Sequence, residues 1–330
     1  MERIKIKEKE IFKMIYKLKL KHKNKLNIKW MCEIAKVSRS GYYNYLSNLN
    51  SSSYLIREEK DKEDFEIIMK AYRFKNRHKG ARAIKMTLER QYKIVMNLKK
   101  IRRLMNKYNL KCPIRKANPY RRMAKALKTN NYYDNKLNRE FYTGKPGEKL
   151  LTDITYLFYG PNRDLAYLST IKDSVTTEIL AYKLSLSLGE QFVLDTINQL
   201  INDEKVPISE DSTLHSDQGF HYTALSYQKL LKDLRIKQSM SRRGNCWDNA
   251  PQESFFGHMK DELHLKECFD FNELKNEIDN YMDYYNNYRY QWDLNKMTPV
   301  EYRIHLLEGG KPILNKIIKA ESTMVQSASL

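Results

Sequence analysis

Three carboxylates carry the clearest chemical signal in this 330-residue chain. Asp153 stands inside the apolar run Leu150-Leu151-Thr152-Asp153-Ile154-Thr155-Tyr156-Leu157, although aspartate is depleted from strands and costly to bury without a partner. A cation beside it would remove that cost. Asp217 follows Leu214-His215-Ser216 and precedes Gln218-Gly219, so its carboxylate sits where a strand gives way to a loop. Glu253 falls in the first turn of a helix that Pro251 can open. Singly, each has an ordinary use: a hydrogen-bonding group on a strand, a turn former before Gly219, and a helix N-terminal charge favoured by the macrodipole. Together, two strands and one helix offer three hard oxygen donors that can converge on Mg2+.

The elements that must position these side chains follow from the apolar spacing. Strands are expected over 149–159, 164–172 and 176–185, joined by turns at Gly160-Pro161-Asn162 and Lys172-Asp173-Ser174. A helix over 188–203 carries Phe192, Leu194, Ile197, Leu200 and Ile201 on one face. A strand at 213–216, a helix at 224–234, a strand at 236–241 and the helix opened by Pro251 complete the order βββαβαβα. That order is the one of the ribonuclease H-like fold, an α/β class with a mixed central sheet flanked by helices, although fold alone assigns no function. Asp173 reads as a turn residue, Asp248 and Asn249 as caps of the Glu253 helix or as direct participants in the site, and Trp247 as packing against the domain or stacking on a base.

Charge divides the chain. The net +20 is the sum of unlike halves: residues 1–140 hold 39 Lys and Arg against 13 Asp and Glu, residues 141–330 hold 21 against 27. An N-terminal half that neutralises phosphates, joined to a half with another task, accounts for this segregation. Two helical pairs lie in the basic half. The first runs from Lys29 through the turn Lys36-Val37 to a helix that Ser38 can cap; as a helix-turn-helix it puts Arg39, Ser40, Tyr42 and Tyr43 at the groove-reading start of its second helix. The second has helices at 81–90 and 97–108. Its later helix has Ile101, Leu104, Met105 and Tyr108 on an apolar face and Lys99, Lys100, Arg102, Arg103 and Lys107 around the rest. The Asn/Ser-rich stretch 47–53 reads as a linker, and the Pro-containing basic stretch with Arg115, Lys116, Arg121 and Arg122 as another. The expected domains are a helix-turn-helix-like region at 1–50, a second basic helical region at 51–112, a basic linker at 113–148, the catalytic core at 149–270 and a helical extension at 271–330.

Four scattered cysteines and seven histidines show no zinc spacing, so the cysteines read as free thiols and any metal falls to the carboxylates. No run of about 18 apolar residues and no apolar leader is present, so a cytoplasmic protein without membrane contact is expected.

The chain resembles the insertion-sequence transposases of the DDE type, whose catalytic domain is similar to retroviral integrase. The resemblance rests on Leu151-Thr152-Asp153-Ile154-Thr155-Tyr156, on His215-Ser216-Asp217-Gln218-Gly219, and on the stretch from Ser241 to Ala250 leading into Glu253-Ser254-Phe255-Phe256, with 35 residues between Asp217 and Glu253. Val37-Ser38-Arg39-Ser40-Gly41-Tyr42-Tyr43, Arg102-Arg103-Leu104-Met105, Tyr284-Tyr285-Asn286-Asn287-Tyr288-Arg289 and Thr298-Pro299-Val300-Glu301-Tyr302 also look like family segments, which extends it over nearly the whole chain. It implies that Asp153, Asp217 and Glu253 bind two Mg2+ ions, for which Mn2+ can substitute. It also implies nicking of element ends and joining of the 3′-hydroxyl to target DNA by transesterification, with no covalent protein intermediate. Lys260, seven residues beyond Glu253 and nearly on the same helix face, looks like the family's DNA-contacting lysine. Further implied are work on a bacterial chromosome, self-association in a synaptic complex, and a first-frame product as partner, the chain being most similar to the second-frame product of a two-frame element. The rival readings are a ribonuclease H-like nuclease that cuts without joining and a DNA-binding regulator with an inactive core.

Overall fold

The computed structural model describes residues 8–22, 25–49, 51–112, 145–241 and 249–310. The chain divides into two compact units, Met1–Lys70 and Ala71–Leu330. The basic stretch around Arg115 to Arg122, and Trp247 and Asp248, lie outside the described residues.

The first unit contains α1 (Glu8–Lys21), α2 (Ile28–Ile34) and α3 (Arg39–Leu49). Asn27 caps α2 through the Lys29 amide at 2.9 Å, and Ser38 caps α3 through the Gly41 amide at 3.0 Å. Between the two helices Lys36 turns the chain at φ 54°. Phe12 and Ile15 of α1 meet Cys32 and Tyr42 in one small core. Gly41 permits this approach, because a Cβ there would stand 2.9 Å from the Phe12 ring. Helix α4 (Ser52–Arg73) follows closely on α3, so helix occupies most of the stretch expected to be linker. Its run of charged residues from Arg57 to Asp64 hides it from a search by apolar spacing.

The second unit begins with α5 (Ala81–Gln91) and α6 (Leu98–Lys107), the latter capped by Asn97 through the Lys99 amide at 2.8 Å. Ile101, Leu104 and Met105 are buried as the spacing predicts. The sheet follows, with β1 (Lys149–Tyr159), β2 (Asp164–Asp173), β3 (Ile179–Ser185), α7 (Gln191–Asn202), β4 (Thr213–Ser216), the short α8 (Phe220–Thr223), α9 (Leu225–Asp233), β5 (Lys237–Met240) and α10 (Ala250–Glu262). Strand order is β3-β2-β1-β4-β5; β1, β2 and β3 pair antiparallel, while β4 pairs parallel with both β1 and β5. This mixed sheet with helices on both faces is the ribonuclease H-like architecture.

Side-chain alternation decides which face each residue serves. Leu150, Ile171 and Ala181 pack with Phe192, Val193, Ile197 and Leu200 of α7 and Leu231 of α9. On the other face Leu157, Tyr159, Ala166 and Leu168 meet Phe255, Phe256 and Met259 of α10 and Leu274, Ile278, Tyr281 and Tyr285 of α11 (Phe271–Asn287). The core therefore continues past the expected boundary at 270, and α11 closes the sheet instead of extending from it. The last helix, α12 (Pro299–Leu307), opens with a capping box formed by Thr298 and Glu301.

The unit boundary cuts the second basic helical region expected at 51–112: residues 51–70 fall in the first unit, and residues 71–112, with α5 and α6, in the unit that holds the sheet. Lys296 bonds Glu89 at 2.7 Å, Arg90 bonds Glu301 at 2.6 Å, and the Arg77 guanidinium forks onto Glu277. Cys32, Cys112 and Cys268 are free thiols. No helix among the described residues is long and apolar enough to cross a membrane.

Candidate active site

Strand register brings Asp153 and Asp217 to the same level of the sheet. Lys149 lies beside Thr213, Leu150 beside Leu214 and Leu151 beside His215; the same register, continued, sets Asp153 beside Asp217. Because β4 ends at Ser216, Asp217 leaves the sheet as an exposed loop residue, its Oδ1 accepting from the Gly219 amide at 2.8 Å. Asp153 stays half-buried within β1, where its Oδ1 accepts from the Ile154 amide at 2.8 Å. Tyr222 senses both. Burial first, then the charges of Asp153 and Asp217, push its pKa well above the usual phenol range. Its buried hydroxyl makes no hydrogen bond of good geometry, with Thr152 the polar side chain beside it.

Helix α10 brings the third carboxylate. Asp153 shares the sheet face of Leu157 and Tyr159, the face that α10 covers. Thr170 is the direct cross-strand partner of Asp153, and the buried Gln252 amide donates to both the Thr170 carbonyl and its hydroxyl. Asn249 donates to the Thr152 carbonyl at 3.4 Å, and Lys172 donates to the Pro251 carbonyl at 2.9 Å. The first turn of α10 is thus fastened around the Asp153–Thr170 pair, and Glu253, next after Gln252, is exposed there.

Asp153 within β1, Asp217 just past the end of β4 and Glu253 in the first turn of α10 are not closed into a side-chain cluster. Among the described residues no group of three His, Cys, Asp or Glu is close enough to hold a metal ion. Their chemistry nonetheless fits a hard divalent cation, since all are carboxylates. His215 is not a fourth donor: it is buried, with its ring nitrogens 2.9 and 3.0 Å from the Ser239 and Ser241 hydroxyls of the neighbouring chain segment.

Comparison with known proteins identifies the family. Residues 144–246 and 253–307 match the integrase core domain family, and residues 58–118 match the HTH-like domain family. The putative transposase InsK for insertion sequence element IS150 of Escherichia coli K12 is 35% identical over 272 residues, covering 82% of this chain and 90% of that protein. The chain belongs to the insertion-sequence DDE transposases. Transposase InsF for insertion sequence IS3A, also of E. coli K12, is 28% identical and covers 82% of this chain and 92% of its own length. The HTLV-2 integrase catalytic core, in a structure with magnesium, is 16% identical with a TM-score of 0.39, covering 48% of this chain and 97% of that one. The function of the family, DNA transposition by metal-dependent DDE phosphoryl transfer, is the function of this transposase.

The residues expected to touch DNA divide on exposure. In the transposase, Arg39 is exposed at the start of α3, and Lys99, Arg102 and Arg103 are exposed on α6. Lys260 is half-buried on α10, two turns beyond Glu253. Tyr42 requires correction. It is fully buried, its ring 6.1 Å from that of Phe12, because the inward face of α3 meets α1, a long-range contact that the helix-turn-helix pattern does not reveal; Tyr43 beside it is exposed. Asn249, expected as a side-chain cap, makes no capping hydrogen bond and reaches Thr152 instead. Asp173, expected as a turn former, is buried and accepts from the amides of Gly147, Val175 and Thr176 and from the Thr176 hydroxyl at 2.7–2.9 Å, which ties the start of β1 to the β2–β3 turn. Lys172, expected in the turn after β2, is buried at the end of that strand, and neither it nor Gln252 is among the expected site residues, although Lys172 continues the inward series Ala166, Leu168, Thr170 and so announces a buried charge.

Proposed function

We propose that the transposase nicks the ends of its element and joins the freed 3′-hydroxyl to target DNA at the edge formed by β1, β4 and the first turn of α10. Asp153, Asp217 and Glu253 are the catalytic residues and hold two Mg2+ ions, with Mn2+ able to substitute. Bound there, the ions supply Lewis-acid stabilisation of attacking and leaving oxygens. The observation that carries this reading is the parallel register of β1 and β4, which when continued sets Asp217, just past the end of β4, level with Asp153, together with the Glu253 turn fastened over the Asp153–Thr170 pair. Asp217, exposed in its loop, is open to the scissile phosphate, while Asp153 fixes the site to the rigid centre of the sheet.

Arg39 on α3, Lys99, Arg102 and Arg103 on α6, and Lys260 on α10 contact DNA in this reading. The first four neutralise phosphates, and Lys260 acts on the strand held beside Glu253. Joining two ends requires copies of the chain to pair, and a first-frame product supplies the pairing and end recognition that these helices lack. The test is incubation of element-end duplex with Mg2+ or Mn2+. Nicked and joined products together support the proposal, nicks alone favour a nuclease, and neither product favours a regulator. In the same preparation, alanine at Lys99, Arg102 and Arg103 should reduce the slope of log K against log salt by about 0.9 for each phosphate that is no longer neutralised. An unchanged slope removes α6 from the DNA interface.

A further inference from the structure

Strand β2 ends on two buried ionisable side chains directed to opposite faces of the sheet. Asp173, on the α7 face, has four donors. Lys172, on the α10 face, makes no ion pair among the described residues; its ammonium donates only to the Pro251 carbonyl and lies 5.6 Å from the centre of the Phe255 ring. The β2–β3 pairing shifts register between Ile171 and Lys172, an irregularity of the kind that re-aims a side chain. The other charges around it compensate only in part. Arg289 and His258 bear on it from the α10–α11 side, Glu262 is already engaged by Arg289 at 2.8 Å, and Asp173, on the opposite face, favours the ammonium without pairing with it. Burial first, and then the Arg289 charge, bring its pKa down to about 7. A methionine would fill the same space without this penalty. An ammonium kept where it disfavours the fold points to a task in the site.

The task follows from what Lys172 holds. Pro251 lies in the first turn of α10, two residues before Glu253. Asn249 ties that turn to Thr152 and Gln252 ties it to Thr170, but the buried Oδ1 of Asn249 and Oε1 of Gln252 lack partners. Those two amides alone therefore leave the turn incompletely satisfied. Among the described residues Lys172 supplies the one charge-assisted bond in the fastening. We propose that Lys172 is a positioning residue for the catalytic centre, holding the Pro251 carbonyl so that Glu253 is set against Asp153 and Asp217. This rests on the reading of Glu253 as a metal ligand.

The experiment compares full-length wild type, Lys172→Met, Lys172→Arg and Glu253→Gln. Its readouts are metal-free melting, DNA affinity, Mn2+ affinity by titration calorimetry, and the joining rate against Mg2+ concentration. Lys172→Met should melt at or above the wild-type temperature and bind DNA normally. Its Mn2+ affinity and joining rate should each fall by about 10–100-fold, as when a residue supporting a metal ligand is removed. Lys172→Arg, which keeps a cationic donor, should recover part of the loss. A folded Lys172→Met with wild-type Mn2+ affinity and Mg2+ midpoint overturns the proposal, even if Glu253→Gln is inactive. Normal joining by Glu253→Gln instead overturns the ligand reading beneath it. Should Lys172→Met fold poorly, the Mg2+ midpoint of the wild-type protein between pH 6 and 8.5 decides. It should rise as the ammonium loses its proton near pH 7, and a flat midpoint overturns the proposal.

Discussion

Against one face of the sheet, α7 and α9 lay mostly aliphatic side chains: Val193, Ile197, Leu200 and Leu231 over Leu150, Ile171 and Ala181. Against the other, α10 and α11 bring aromatic rings, including Phe255, Tyr281 and Tyr285, together with buried ions. There Glu262 accepts a forked bond from Arg289, and Lys172 reaches the Pro251 carbonyl. Apolar contact is tolerant of small shifts, whereas a buried ion or amide is satisfied in only a few geometries. The difference teaches a division of labour: the α7–α9 face contributes stability, and the α10–α11 face spends part of its stability on fixing the turn that carries Glu253.

The largest effect should come from the end of that turn itself. Glu253→Gln should reduce nicking and joining to background while leaving DNA affinity unchanged and the stability within about 0.5 kcal/mol, the usual range for an exposed position. Assays on element-end duplex, with a denaturant melt alongside, check both halves. Normal turnover would sink the ligand assignment, and a large loss of stability would show that function and fold are not separable on this face.

A pair of core substitutions sharpens the comparison. Arg289→Met leaves the Glu262 carboxylate buried without its partner, which costs about 3–5 kcal/mol for a fully buried pair. The lower end is expected, since the Arg289 side chain keeps 22% of its exposure. Ile197→Ala on α7 should cost about 2–5 kcal/mol through reduced burial and the cavity left behind. The two should differ in their second readout: Arg289→Met should also shift the Mg2+ midpoint for joining, because Arg289 lies beside Lys172, whereas Ile197→Ala should not. Equal midpoints in the two folded variants would erase the distinction between the faces.

A smaller effect is the dependence of stability on pH. Lys172, pushed down to about 7, takes up a proton on unfolding wherever the pH lies between that value and the ordinary lysine pKa of about 10.4. The unfolded chain then binds more protons than the folded protein, so this group's contribution to stability rises with pH through that window. It is at its lowest below pH 7. Unfolding free energies of wild type and Lys172→Met, measured from pH 6 to 9, should differ most at pH 6. The difference should shrink above pH 7 by up to about 1.4 kcal/mol per pH unit. A difference independent of pH would mean that the ammonium is not desolvated. Lys79, whose ammonium is held by the carbonyls of Tyr72, Phe74 and Arg77 and whose pKa is brought to about 8 by burial, adds the same sign in both proteins and cancels.

The parts of the fold that were legible beforehand are those governed by local pattern. Strand β1 runs over the same residues as its apolar alternation, β4 likewise, and Ser38 caps as short-range rules require. Asp153 and Asp217 could be assigned to strand and strand end, but their common level depends on parallel pairing, which only the assembled sheet fixes. The same limit hid the burial of Tyr42, set by Phe12 thirty residues earlier in the chain, and the joining of α5 to the C-terminal segment through Glu89 and Lys296. Helix α4 was hidden for a different reason: its charged first half carries little apolar periodicity to read. Lys172 was readable from alternation, but its partner, the backbone carbonyl of Pro251, leaves no trace in residue type.

The smallest effect tests the α7–α9 face where it comes nearest to the carboxylates. Tyr227 on α9 is fully buried, its ring packing edge-on to Tyr222 with centroids 5.4 Å apart, and its hydroxyl has no hydrogen-bond partner. Burial, and then the Asp217 charge, raise its pKa, so the phenol stays protonated throughout the working range. Tyr227→Phe keeps the ring and removes a buried polar group that bonds nothing, a change expected to be neutral or stabilising by about 1 kcal/mol. If this face serves stability alone, the variant should join element ends at the wild-type rate with the wild-type Mg2+ midpoint. Denaturant melts and a Mg2+ titration of joining read both outcomes. A loss of stability would reveal a partner for the hydroxyl. A shifted midpoint with intact stability would show that α9 helps to set Asp217, and the division between the two faces would then have to be redrawn to include it.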